Sequence, residues 1–213
     1  MRGIVLSLVG AACAGTADFL YKKAQQDGVD PNSFYSVHAA IFALLVTIFT
    51  LVTTNLRIDW INVLFGTLCS ILSFLAFFFM LLSLQQGEAS ISITLTRLGF
   101  IVTALLAIAL LQESLTLLKV LGLGSAVSVV GLYSYQSLNT RNPIDKRSLR
   151  LALVAMISLG LRNFVYKIAL TKGVDTSTML SLQAILVFLM TFILRPSKHI
   201  VYPHATFKYA FLS

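Results

Sequence analysis

Little in this sequence is acidic, charged or thiol-bearing. Eight Asp and Glu stand against sixteen Lys and Arg, and charged residues make up 11% of the 213 positions, where an ordinary soluble domain carries about a quarter. A chain this poor in charge and 57% hydrophobic has lipid rather than water as its main solvent. The two cysteines, Cys13 and Cys69, lie in apolar runs with no C-x-x-C and no third thiol or histidine at ligand spacing. That excludes a cysteine metal site and leaves the redox compartment open. Catalytic signatures are missing too: there is no H-E-x-x-H, no G-x-S-x-G and no pair of catalytic aspartates in the apolar runs. An enzyme is therefore not expected, nor any cofactor or metal. The net charge of +8 forms no single basic stripe. Its residues sit between apolar runs as interfacial anchors, so nucleic acid is not an expected partner.

What the chain does have is a repeat. Leu6 to Phe49 aligns without a gap on Leu151 to Leu194 at a shift of 145 positions, with fifteen of forty-four pairs identical. The clearest part is Tyr21-Lys22-x-Ala24 followed by Gly28-Val29-Asp30, against Tyr166-Lys167-x-Ala169 followed by Gly173-Val174-Asp175. Apolar helices match by chance, but polar and glycine positions at fixed distances point to an internal duplication.

The apolar runs predict membrane spans at Gly3–Tyr21, Phe34–Thr54, Trp60–Leu84, Ala89–Leu111, Leu115–Tyr135, Leu151–Leu170 and Met179–Leu194. About nineteen residues at 1.5 Å each suffice for a hydrocarbon core of roughly 30 Å. Arg2 and Ala12-Cys13-Ala14 could be taken for a signal peptide, but the matching segment near Gly160 is internal. Gly124, Ser128 and Gly131 form a small-residue stripe suited to close helix packing. Ser137 to Arg150 is the one sustained polar segment and reads as a linker. Five spans from the start of one copy to the start of the next put the second copy in upside down, as in many secondary transporters.

By the same shift, Ala205–Ser213 corresponds to Trp60–Leu68, the opening of a third span. Two turns cannot cross a bilayer, so the expectation is a partial second copy. Lys and Arg near span ends divide nine to five: Lys22, Lys23, the linker, Arg195, Lys198 and Lys208 on one side, Arg2, Arg57, Lys119, Lys167 and Lys172 on the other. The positive-inside rule then puts the linker in the cytoplasm.

The run Phe77 to Gly131 resembles the EamA domain, the repeat unit of the drug/metabolite transporter superfamily. The matching pieces are Gln86-Gly87-Glu88-Ala89-Ser90, Thr96-Arg97-Leu98, and Ala107 to Gln112 running into Glu113-Ser114-Leu115-Thr116. Gly15–Lys22 and Gly160–Lys167 resemble the opening helices of its two copies. Gln112 stands where the family often has Gly, and Phe100 where it usually has Pro, with Gly99 beside it as a partial substitute for a helix break. The resemblance implies an all-α membrane protein, a multi-spanning helical bundle with inverted five-helix repeats of which the second is incomplete. Residues 1–136 are the expected first repeat, 137–150 the linker and 151–213 the partial second repeat. Members commonly begin inside the cell, opposite to the orientation that the charge count gives.

Ionisable groups inside spans cost about 2.5 to 3.5 kcal/mol each to insert and are candidates for function. Asp18, Arg97 and Arg162 are the three. Asp18 and Asn163 are repeat mates, which an inverted arrangement brings to comparable depth. Asp18 either faces a cavity or pairs with Lys22 four residues on. Arg97 is either a structural salt link or a substrate contact, and Arg162 is too deep to snorkel easily. His38 and its mate Gln183 lie one turn into their spans, where interfacial hydrogen bonding is the simpler role. Glu88 and Glu113 mark helix ends and are expected to be solvated.

The expected function is a secondary transporter of small organic metabolites or drugs in the cell membrane, working by alternating access between inverted repeats. Two cations and one anion within the spans favour an anionic substrate. The alternative is a non-transporting fragment or assembly subunit, completed by a homodimer partner or a complementary chain.

Overall fold

The computed structural model describes residues 2–53, 58–87, 89–114, 116–139, 146–193 and 209–210. Among them there are eight helices: α1 (Arg2–Gln26), α2 (Pro31–Thr53), α3 (Trp60–Gln86), α4 (Ala89–Arg97), α5 (Gly99–Leu111), α6 (Leu117–Asn139), α7 (Lys146–Thr171) and α8 (Thr176–Ile193). Among the described residues four stretches are long and apolar enough to cross a membrane: Pro31–Thr53, Trp60–Gln85, Ile91–Leu111 and Lys146–Thr171. Leu117–Ser128 and Thr176–Phe192 are shorter apolar helices. The chain is an all-α, multi-spanning membrane protein.

The two copies of the repeat close their first helix in the same way. Gly28 and Gly173 take φ of 74° and 72°, a left-handed conformation that costs an L-residue roughly 1–2 kcal/mol. The turn lets the Val29 amide donate to the Ala24 carbonyl at 3.0 Å and the Val174 amide to the Ala169 carbonyl at 3.1 Å. Asp30 then accepts from the Ser33 amide and Asp175 from the Thr178 amide, both at 2.8 Å. Each aspartate thus caps the next helix, worth about 0.5–2 kcal/mol. Glycine, valine and aspartate are retained because the turn uses all three.

Helix directions follow from contacts between named ends. Thr50, near the end of α2, receives a hydrogen bond from Ser181 Oγ at 2.7 Å and donates to the Ser177 carbonyl at 3.4 Å, both near the start of α8. Helices α2 and α8 are repeat mates, and they run antiparallel. At one end of α3, Ser83 meets Ser148 at the start of α7, with Oγ–Oγ 3.0 Å, and Ser92 of α4 joins them at 2.7 Å from Ser83. These three hydroxyls are buried and mutually satisfied, which is how polar side chains join helices in lipid. Helix α3 is central, packed by α7, α8 and α2.

The fourth predicted span is two helices, α4 and α5, separated at Leu98. No proline marks the break. Gly99 does, for a packing reason. A Cβ on Gly160 of α7 would lie 2.5 Å from the Gly99 carbonyl oxygen and 2.5 Å from Val102 Cβ. Thr103 Oγ1 also donates to the Gly160 carbonyl at 2.9 Å. Glycine at both positions lets α5 and α7 cross backbone to backbone.

Some expectations meet a different outcome. Of the segment read as linker, 137–139 end α6 and Lys146 to Arg150 open α7, while 140–145 lie outside the described residues. Of the stretch 205–213 only Tyr209 and Ala210 are described, as helix; Tyr209 donates its hydroxyl hydrogen to the Asp27 carboxylate. The stripe of α6 has no partner among the described residues, since a Cβ on Gly124 or Gly131 would meet nothing within 4 Å.

Candidate functional site

Helices α1, α2, α3, α4, α7 and α8 enclose a cavity of about 350 Å³. From α1 and α2 it receives Asp18, Tyr21, Tyr35, His38 and Phe42; from α7 and α8 it receives Leu159, Arg162, Tyr166, Leu180, Gln183, Ala184 and Val187. Four pairs of these are repeat mates 145 positions apart: Tyr21 and Tyr166, Tyr35 and Leu180, His38 and Gln183, Phe42 and Val187. Their spacing of three or four along each helix puts them on one face. The antiparallel mates α2 and α8 turn those faces toward the same space.

Asp18 does not pair with Lys22. Its carboxylate takes both oxygens to Arg97 of α4, with Nη2–Oδ1 2.7 Å and Nε–Oδ2 3.0 Å. The Asp18 side chain is 12% exposed and that of Arg97 50%, so the carboxylate is the deeper member. Such a fork is the strong form of an ion pair. It also makes Arg97 a structural partner as well as a lining residue.

Arg162 is half-buried and has no carboxylate partner among the described residues. Nε and Nη2 donate to Asn163 Oδ1 at 3.2 and 2.9 Å, and the guanidinium carbon lies 5.9 Å from the Tyr166 ring centroid. Asn163, expected at the pathway itself, does not line the cavity. It holds Arg162 instead.

His38 and Gln183 line the cavity rather than serving at an interface. Gln183 accepts from the Tyr166 hydroxyl through Oε1 and donates through Nε2 to Ser73 Oγ at 2.7 Å. His38 is parallel to Phe77 at 5.3 Å and to Phe42 at 6.5 Å, and Tyr21 meets it edge-on at 5.7 Å. Tyr35 stacks on Phe77 at 4.6 Å. Each such ring pair is worth about 0.5–1.5 kcal/mol beyond its burial, so the rings of this wall support one another.

Tyr21, Tyr35, Ser73, Phe77 and Tyr166 were not legible as site residues, though a signal existed. Tyr21 follows Asp18 by three positions and recurs as Tyr166, and Tyr35 precedes His38 by three. Glu113, expected to be a solvated helix end, carries two ion pairs, one to Lys119 at 3.1 Å and one to Lys167 of α7. Hydrogen bonds from Lys167 first and Lys119 second hold its carboxyl below the ordinary carboxylate value. Glu88 lies outside the described residues.

No curated protein matches the chain. The sequence profile of the EamA-like transporter family matches residues 1–135. With well over half of its length matched, and with apolar helices long enough to span a bilayer, this chain belongs to the EamA-like transporter family.

Proposed function

We propose that the protein is a secondary transporter of small organic metabolites or drugs in the cell membrane. Inverted repeats rock about the cavity between α1–α2 and α7–α8, exposing it to each face in turn. Residues 1–136 form the first repeat and residues from 151 onward belong to the second. The observation that carries this reading is the set of four repeat-mate pairs facing one cavity. A duplicated, inverted unit with its seam at the centre is the arrangement that alternating access uses.

The cargo is an anion. Asp18 and Arg97 cancel each other, and Arg162 remains as surplus positive charge. A cation about 6 Å from Arg162 meets a repulsion of about 3 kcal/mol at an effective dielectric near 20. A ring face returns only about 0.5–2 kcal/mol to a cation. Asp18, Arg97, Arg162, His38 and Gln183 form the substrate pathway, and Asn163 sets the position of Arg162. Reconstituted vesicles challenged with a panel of labelled organic anions and cations test the reading. Uptake of at least one anion that falls about tenfold or more in Arg162→Gln supports it. Transport unchanged after neutralising Arg97 and Arg162 removes it.

A second reading, an assembly subunit completed by another copy or a complementary chain, draws on α6. Leu117, Leu118, Leu121 and Val127 are exposed there beside the open glycines of its stripe. Cross-linking through cysteines on that face separates the two: a covalent dimer in membranes favours the subunit.

A further inference from the structure

The two walls of the cavity differ in kind, although their positions are related by the repeat. The first copy supplies rings, Tyr35, His38 and Phe42, where the second supplies Leu180, Gln183 and Val187. Phe77 of α3 ties the rings together, stacked with both Tyr35 and His38. The wall of α2 and α3 is therefore a set of aromatic faces and edges, whereas α8 supplies Leu180, Ala184 and Val187 beside the Gln183 amide, with Tyr166 and Arg162 coming from α7. A flat ring fits between them, its face against π-systems on one side and branched methyls on the other. Aromatic pairs in offset or edge-on contact are favoured beyond what their buried area gives.

Size and charge narrow the guest further. A cavity of about 150 Å³ holds benzene, so about 350 Å³ accommodates one ring, a short linker and a small charged group. The charged group is set by Arg162. Its Nη1 has no acceptor among the described residues, while Nε and Nη2 are held by Asn163. The outer edge of the fork is free for the two oxygens of a carboxylate. An α-ammonium group meets a weaker place, since each acceptor near it already holds one hydrogen bond and the field is positive. Both oxygens of Asp18 are engaged by Arg97, Gln183 Oε1 takes the Tyr166 hydroxyl, and two arginines lie along the same cavity.

Resting on the anion reading above, we infer that the cavity is a site for small aryl carboxylates that lack an α-ammonium group, with the carboxylate on Arg162 and the ring against the wall of Tyr35, His38 and Phe77.

The test is saturation-transfer NMR on the full chain in lipid nanodiscs. Phenylacetate is the probe, compared with cyclohexylacetate, phenylalanine and phenethylammonium. Phenylacetate is expected to bind about fivefold or more tightly than cyclohexylacetate, the factor that one or two ring contacts give, with its ring protons the most strongly saturated. Phe77→Leu should remove that preference by weakening phenylacetate more than cyclohexylacetate. Arg162→Gln should weaken both carboxylates about tenfold or more, and Arg162→Lys, which keeps charge but not the fork, should restore part of the loss. Circular dichroism confirms that each variant is folded.

Equal affinity for phenylacetate and cyclohexylacetate, both lost in Arg162→Gln, overturns the aryl assignment and leaves the anion reading standing. Phenylalanine binding as tightly as phenylacetate overturns the exclusion of the ammonium group. Binding of phenethylammonium alone overturns the inference and the anion reading together, whereas binding of none of the four by folded protein overturns the inference and leaves the anion reading to the uptake panel.

Discussion

Arg97 and Asp18 lie 79 positions apart and meet through two hydrogen bonds, at 2.7 and 3.0 Å, on the edge of the cavity. The pair links α1 to the broken fourth span. Its members are not equivalent, because the carboxylate is largely buried and the guanidinium is half exposed.

That asymmetry gives the first prediction. Removing Arg97 strands a buried anion, whereas replacing Asp18 with Asn leaves a cation that can reach water. Arg97→Gln is expected to destabilise the folded protein by about 1–3 kcal/mol, discounted for the exposure of the arginine. Asp18→Asn should cost less, and the double variant should cost less than Arg97→Gln alone. Thermal unfolding in detergent measures all three, and equal losses for the two single variants would show that burial does not set the energetics. Among the described residues Asp18 is also the one carboxylate that lines the cavity, which makes it the group to test for proton coupling. If pH-driven uptake survives Asp18→Asn, that role is gone.

Gly28 and Gly173 support a paired prediction. Both have positive φ, nothing crowds either position, and the same valine and aspartate follow each. Gly28→Ala and Gly173→Ala should therefore each cost about 1–2 kcal/mol from backbone strain alone, and the two costs should agree within about 0.5 kcal/mol. Chemical denaturation of the two variants checks this. A large inequality would mean that the turns do different work despite their shared geometry.

The duplication was legible because its turn uses residues whose chemistry is local. Glycine supplies the left-handed residue and aspartate the cap, and both survive in sequence as identities. Arg162 was legible for a similar reason, since a cation twelve residues into an apolar run has few structural uses. The partner of Asp18 was not. Lys22 stands four residues away and is the natural local choice, while Arg97 comes near only through tertiary packing. The aromatic wall was hidden because Tyr35, Phe42 and Phe77 in a span look the same whether they face lipid, core or cavity. Only the spacing of Tyr35 and Phe42 from His38 marked those two, and no such spacing marked Phe77. The break at Leu98 was half legible. Its glycine was visible, but the need for it lies in Gly160, 61 positions on, whose backbone touches Gly99.

Glu113 carries the pH prediction. Lys167 and Lys119 hold its carboxyl below the ordinary value of 4.5, so the folded state binds that proton more weakly than the unfolded chain does. Stability from these contacts is present above the unfolded value and is lost as pH falls through the lower, folded one. Lys167→Gln removes the larger of the two causes and should move the Glu113 titration upward, toward 4.5. Carboxyl carbon NMR with labelled glutamate reads the shift. A titration unmoved by Lys167→Gln would mean that the contact between the α5–α6 loop and α7 is not formed in the membrane.

The last prediction concerns the direction of the second copy. Helix α2 leaves the Gly28 turn and helix α8 leaves the Gly173 turn, yet Thr50 near the end of α2 meets Ser177 and Ser181 near the start of α8. Two mates joined end to start run in opposite senses, so their opening turns lie on opposite faces of the bilayer. Gln26 and Lys172 are exposed residues beside those turns and accept cysteine without disturbing a described contact. In a background with Cys13 and Cys69 replaced, an impermeant maleimide added to sealed cells should label one of Gln26→Cys and Lys172→Cys and spare the other until the membrane is opened. Because the cavity is built from side chains that the inversion turns toward each other, labelling of both from the same side would dismantle the site along with the topology.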